Sequence, residues 1–312
     1  MNIRDQISPG YQKRKKVIDR VVSYLFMLCG FISAIMIVLI IFFISQRGIQ
    51  VFLPGYSDQQ NVWDFLTGTS WRPEAAIFGA GYIIVNTLIS AFGAAVLAFP
   101  ISVLSALFIV KIAPPKLRDA FTTVVELLAA IPSVVYGVFA AGALTDLVNN
   151  FAVSLGYTTR GGLSMLTVIL LLAIMVYPTM TSLAIAAIKA VPAELELGSL
   201  ALGASQMQTN FKVVLSAAKS GIFAGLVLGL GRAFGEATAV SMVAGNAMIG
   251  PTWNPFDITR TLTSTMLTGL HETSGVGYDI RFSVGIVLMI IIVFTNWLIH
   301  FVRRRIGGVG ND

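Results

Sequence analysis

The chain has 312 residues, 56% of them hydrophobic and 12% charged, with a mean hydropathy of +0.82 and a formal net charge of +6 at pH 7. A soluble domain carries about a quarter charged residues, so the composition excludes one and leaves a polytopic membrane protein. The basic residues fall between apolar runs without aromatic interleaving, which argues against a nucleic-acid surface, and the single cysteine, Cys29, supports no disulfide framework.

A basic stretch (Lys13, Arg14, Lys15, Lys16, Arg20) leads into the first apolar run, 21–44. The run exceeds the ~7–15 apolar residues of a signal-peptide core, and no small-x-small cleavage site follows. It reads as a retained transmembrane helix. Since about 20 apolar residues cross the hydrocarbon, six crossings are predicted: 21–45, 77–110, 119–145, 163–188, 215–245 and 281–302. Pro100 predicts a kink or break in the long second one. Two long intervening segments, 46–76 and 246–280, carry Trp63, Trp71 and Trp253. Their tryptophans suit an interfacial belt or a docking surface.

With Lys219 and Arg281, near crossing ends, counted in the adjoining segments, alternate segments hold fifteen and five Lys and Arg residues, and Arg232 is the one left within a crossing. The positive-inside rule then places both termini in the cytoplasm. Residues 1–20 form a basic cytoplasmic N-terminus, 46–76 an extracytoplasmic segment, and 303–312 a cytoplasmic tail. No internal repeat or low-complexity tract is present.

Between the fourth and fifth crossings, Pro192 is placed to open a helix with Glu194 and Glu196 in its first turn. Leu195, Leu200 and Leu202 make it amphipathic, and Gly203 ends it in a turn. Such a short helix is marginal in water. It either docks into a partner or lies on the headgroups.

The fifth crossing contains Gly229-Leu-Gly-Arg232-Ala-Phe-Gly-Glu236. A charge at the bilayer centre costs roughly 2.5–3.5 kcal/mol on insertion scales, so the two residues call for a role. Their i, i+4 spacing predicts one helical face. Gly221, Gly225, Gly229, Gly231 and Gly235 beside them permit either close helix approach or a water-filled gap. Two readings stand: a structural ion pair within the helix, or a contact for a passing anion. A guanidinium matches two oxygens of a phosphate, and a carboxylate accepts the O–H that phosphate keeps at neutral pH and sulfate lacks. Glu126, Ser133 and Tyr177 are secondary candidates. For Glu126 a structural role, reaching Lys116 or Arg118, is favoured; Pro132-Ser133 and Tyr177-Pro178 mark helix breaks that free carbonyls.

The segment 190–216 resembles the coupling loop of type I ABC importer permeases, a Glu-Ala-Ala, three residues, Gly, nine residues, Ile-x-Leu-Pro pattern. Gly203, Val213 and Leu215 fall on the glycine, isoleucine and leucine. Leu197, Gly198-Ser199 and Ser216 depart from it, and Glu196 comes one residue early. Three further stretches are similar to phosphate-importer permeases: Glu126-Leu-Leu-Ala-Ala-Ile-Pro132-Ser133-Val-Val-Tyr136-Gly137, Gly229 to Val240 followed by Gly245-Asn246, and Phe65 to Pro73 with Phe78-Gly79. They match the PstC type better than the PstA type.

That resemblance implies an all-α polytopic membrane protein of six transmembrane helices with the MetI-like fold, whose permease core is 77–302. It implies Arg232 and Glu236 in a phosphate pathway, with Glu194, Glu196, Gly203 and Ala204 coupling to an ATPase. Implied partners are a PstA-like second permease, a homodimeric PstB-like ATPase, a PstS-like phosphate-binding protein and membrane lipid, in the inner membrane of a bacterium. The chain has no GxxxxGK[ST] phosphate loop, so hydrolysis falls to another polypeptide. No active site, metal or cofactor is expected. Competing readings are a permease for sulfate, molybdate or a phosphonate, and an ion-driven secondary transporter using Glu126 and Glu236. An intramembrane enzyme is disfavoured, because the two histidines, His271 and His300, are placed outside the buried segments.

Overall fold

The computed structural model describes residues 9–306; residues 1–8 and 307–312, part of the basic N-terminus and of the tail, lie outside the described residues. Helix α1 spans Pro9–Gln50 and α2 Val62–Thr67. The strands β1 (Trp71–Arg72) and β2 (Ile77–Phe78) pair antiparallel, with Trp71 opposite Phe78. Next come α3 (Gly81–Leu107), α4 (Pro115–Ala130), α5 (Ser133–Phe139), α6 (Thr145–Ser154), α7 (Met165–Lys189) and α8 (Ala193–Ala201). The order closes with α9 (Gln206–Gln208), α10 (Leu215–Gly235), α11 (Thr238–Val243), α12 (Leu262–Leu267) and α13 (Val276–Ile306). Wide π-helical turns at Phe108–Ile112, Ala140–Leu144 and Thr209–Val214 extend α3, join α5 to α6 and join α9 to α10.

Among the described residues six helical stretches are long and apolar enough to cross a bilayer: Ile18–Gln50, Gly81–Ile112, Ser133–Ser154, Met165–Lys189, Gln206–Gly235 and Val276–Phe301. Between helices in lipid there is little hydrophobic drive, so close fit does the work. Its centre is α3 against α7 against α10, where Ala91, Ala95 and Ala98 meet Val176, Met180, Leu230 and Phe234. Small residues set the spacing: a Cβ on Gly221 would come 2.5 Å from Ala187 Cβ, and one on Gly225 3.3 Å from the Met180 carbonyl.

Two predicted crossings differ from what forms. The third, expected over 119–145 as one piece, is two helices parted at Ile131–Pro132, where Ile131 is extended at ψ 127°. Proline restricts the residue before it and has no N–H to give, so α4 stops. Tyr136 Oη bridges the break by donating to the Leu128 carbonyl at 2.9 Å. The apolar crossing is Ser133–Ser154, while Glu126 lies exposed on α4. The fifth, expected over 215–245, starts at Gln206 and ends at Gly235. Pro100, by contrast, interrupts nothing: α3 runs through it. Likewise α7 continues through Pro178; there the Tyr177 carbonyl accepts from Thr181 Oγ1 at 2.7 Å and from Ser102 Oγ of α3 at 3.2 Å.

Helix α1 lies beside the bundle, its crossing exposed along its length, and is fastened at its C-terminal end. Gly48 lets it approach α13 so closely that a Cβ would come 2.7 Å from Ser283 N. Ser283 Oγ donates to the Gly48 carbonyl at 2.7 Å, and Asp279 accepts from Arg47 at 3.3 Å and from Tyr56 Oη at 2.7 Å. Trp71 is neither belt nor docking surface: it is fully buried, edge-on to Phe78 at 5.2 Å. Trp63 and Trp253 remain exposed.

Candidate functional site

Arg232 sits one turn before the C-terminus of α10 and is half-buried. Its Nη1 donates to Thr179 Oγ1 of α7 at 3.0 Å. The guanidinium lines a cavity of about 700 Å³ together with Thr179, Gly231, and Asn296 and His300 of α13, walled by Leu183, Val227 and Leu228. The five glycines divide by function. Gly221, Gly225 and Gly229 press α10 onto α7, whereas Gly231 and Gly235 have open space where a side chain would stand.

Glu236 does not share a helical face with Arg232. The helix has ended, and Glu236 is extended at φ −75°, ψ 113°. Its Oε1 accepts from Ala239 N at 3.0 Å, holding the first turn of α11, and its carbonyl accepts from Thr263 Oγ1 at 2.8 Å. The intrahelical ion pair is thus replaced by two separate attachments: the guanidinium to α7, the carboxylate to α11. Asn296 escaped the sequence reading, and His300, expected outside the buried segments, falls within the last crossing and lines this cavity; the two share the i, i+4 spacing of polar residues in an apolar run. Ser133 opens α5 half-buried, and Tyr177 contributes its carbonyl to the α3–α7 contact.

A second cavity, about 750 Å³, lies at the end of the bundle opposite α8, between Arg72, Arg160, Asn246 and Asp257. Its floor is the Gly245-Asn246 turn, both residues left-handed at φ 74° and 51°. A Cβ on Gly245 would strike Ile258 at 2.5 Å, which accounts for glycine there. The buried Arg260 fixes the turn, its Nε donating to the Ala247 carbonyl and Nη2 to the Asn246 carbonyl, each at 2.9 Å. Burial pushes this guanidinium below its ordinary pKa.

At the other end, α8 begins after Pro192 with Glu194 and Glu196 in its first turn. Glu194 is exposed; Glu196 accepts from Lys111 Nζ in the π turn after α3. Ser199 and Thr209 share a hydroxyl hydrogen bond of 2.9 Å. Gly203 turns the chain at φ +86°, Ala204 N donates to the Ser199 carbonyl at 3.2 Å, and Leu202 stands 91% exposed. Among the described residues no group of three His, Cys, Asp or Glu could hold a metal ion.

Residues 98–308 match the family described as binding-protein-dependent transport system inner membrane component. A probable ABC transporter permease protein, YqgH of Bacillus subtilis (strain 168), is 34% identical over 281 residues, covering 89% of this chain and 88% of that protein. The phosphate transport system permease protein PstC of Pasteurella multocida (strain Pm70) is 34% identical over 243 residues, covering 73% and 76%. A chain of a bacterial alginate ABC transporter, solved with its pentasaccharide-bound periplasmic protein, superposes with a TM-score of 0.65 at 19% identity, covering 95% of this chain and 99% of that one. The fold is that of a type I ABC importer permease, and the chain is a multi-pass membrane protein.

Proposed function

The chain belongs to the family of binding-protein-dependent transport system inner membrane components, and from that footing we propose that it is the PstC-type permease subunit of an ATP-driven phosphate importer. The observation that carries the reading is an arginine within a membrane crossing that, among the described residues, is not spent on a carboxylate and borders a cavity. A guanidinium so held keeps donors for an anion. Glu236 uses one oxygen to hold α11, and the second would accept the phosphate O–H. A site that offers a single arginine binds briefly, as passage requires.

Coupling follows from the loop between α7 and α10. The exposed Leu202, with Glu194 and Leu197 also exposed, forms the face that would enter a groove of a cytoplasmic ATPase. A second, PstA-like permease would complete the pore, and a phosphate-binding protein would deliver from outside; the family's description as binding-protein-dependent supports the latter. Both termini are assigned to the cytoplasm, and the membrane to the bacterial inner membrane. The chain itself carries out no covalent chemistry.

The test is Arg232→Lys in the assembled complex. Lysine keeps the charge but not the fork, so loss of charge-assisted hydrogen bonds worth roughly 1.5–3 kcal/mol lowers phosphate uptake about 10–100-fold. The complex should still co-purify. Uptake at the parental rate would remove Arg232 from the pathway, and uptake outcompeted by sulfate or molybdate but not by phosphate would reassign the substrate.

A further inference from the structure

We propose that Lys111 and Glu196 are a positioning pair that, with the Ser199–Thr209 hydrogen bond, makes α8 a crossbar between the second and fifth crossings, and that this crossbar sets how much ATP is used per ion moved. The proposal rests on the reading of α8 as the element that meets the ATPase. It assigns Glu196 a contact inside its own chain, leaving Glu194 and the exposed leucines to face the partner.

The geometry has two arms. Lys111 belongs to the π turn Phe108–Ile112 that extends α3, and its ammonium meets the Glu196 carboxylate near the start of α8. The two side chains are only 16% and 18% exposed, so the pair is less screened than an ordinary surface pair. Three residues on, Ser199 shares its hydrogen bond with Thr209, which is fully buried and opens the π turn Thr209–Val214 that leads into α10. Single π turns within helices recur at functional positions, because the widened turn re-aims the residues that follow. Here both arms of the crossbar are anchored on such turns, and they lead to different helices. One is α3, the other α10, which carries Arg232; both pack on α7 through the central cluster. A displacement of α8 therefore reaches both helices together while the two arms hold. With one arm cut, α8 can follow the ATPase without moving α3.

The experiment uses the assembled transporter in proteoliposomes and reads ATP hydrolysed per phosphate imported, with hydrolysis also measured in the absence of the binding protein. Lys111→Met and Glu196→Gln should each raise the ratio about five-fold, the factor equivalent to losing ~1 kcal/mol of coupling. Their KM for phosphate should stay at the parental value. The charge swap, Lys111→Glu with Glu196→Lys, should bring the ratio back to within about two-fold of the parent, a tolerance set by geometry-dependent pair strength. A parental ratio in both single variants overturns the proposal, as does a swap no better than the singles. ATPase co-purification is followed in parallel: assembly lost in the singles and regained in the swap supports the pair, and assembly not regained overturns it. If the parental complex imports no phosphate, the substrate reading fails, but unchanged hydrolysis in the singles without the binding protein would still refute the crossbar.

Discussion

The α10 glycines offer a quantitative check on how the crossings are packed. Replacing Gly221 by alanine puts a Cβ 2.5 Å from the Cβ of Ala187, which is fixed to the α7 backbone and cannot rotate away. Ordinary carbon contacts lie at about 3.5–4.0 Å, so the two helices must part by about 1 Å over the contact. Overpacking of this kind costs typically 1–3 kcal/mol. Replacing Gly231 by alanine meets nothing within 4 Å, and alanine is better than glycine in a helix by about 0.8–1.0 kcal/mol. Both substitutions gain that propensity, so in thermal unfolding of the detergent-solubilised complex at one scan rate Gly221→Ala should melt below Gly231→Ala by roughly 2–12 °C, at 2–4 °C per kcal/mol of overpacking. Gly231→Ala should melt no lower than the parent. Equal losses in the two variants would show that the glycine stripe does not set the α7–α10 distance.

Glu236 separates its two roles by substitution: Glu236→Gln keeps an oxygen for Ala239 N and should melt like the parent, while Glu236→Ala loses the attachment at a cost of about 0.5–2 kcal/mol. If the carboxylate serves the pathway, Gln also lowers phosphate uptake; parental uptake in Gln would confine Glu236 to holding α11. Tyr56, near the end of α1, is pushed up to about 12 from its ordinary 10, first by burial and then by its hydrogen bond to Asp279. A proton held more tightly in the folded state stabilises it fully below pH 10, and that contribution fades as pH rises towards about 12. Alkaline melting curves should therefore fall more steeply for the parent than for Tyr56→Phe, and parallel curves would refute the contact.

The crossings were legible because hydrocarbon thickness imposes a length that composition alone reveals. Their ends were not. Gly235 and Glu236 look like a continuation of the Arg232 face, since periodicity carries no signal for the residue at which hydrogen bonding stops. Glu236 instead accepts from Ala239 N and from Thr263 Oγ1, and no pattern in the sequence marks either as its donor. Pro132 was readable as a break, yet Pro100 and Pro178 carry the same local signal and interrupt nothing. What differs is the residue before the ring: Ile131 is extended, whereas the residues preceding Pro100 and Pro178 stay helical within α3 and α7. Lys111 and Glu196 are 85 positions apart and Arg47 and Asp279 are 232 apart, so their pairing exists only once the helices are assembled. Trp71 was misjudged for a related reason, since its cover comes from a strand partner and from residues far along the chain.

The Gly245-Asn246 turn is gripped by Arg260 through two main-chain carbonyls, and Tyr82 Oη reaches the Ala247 carbonyl as well, at 2.7 Å. A carbonyl cannot swing aside as a side chain can, so loosening this end would strand two acceptors at once, at about 1–3 kcal/mol for each one left buried. Far from it, α8 hangs on an ion pair and a hydroxyl contact. Force applied at the lightly sprung end would accordingly swing the riveted end as a single block, like the stiff jaw of a pair of tongs worked from its handle.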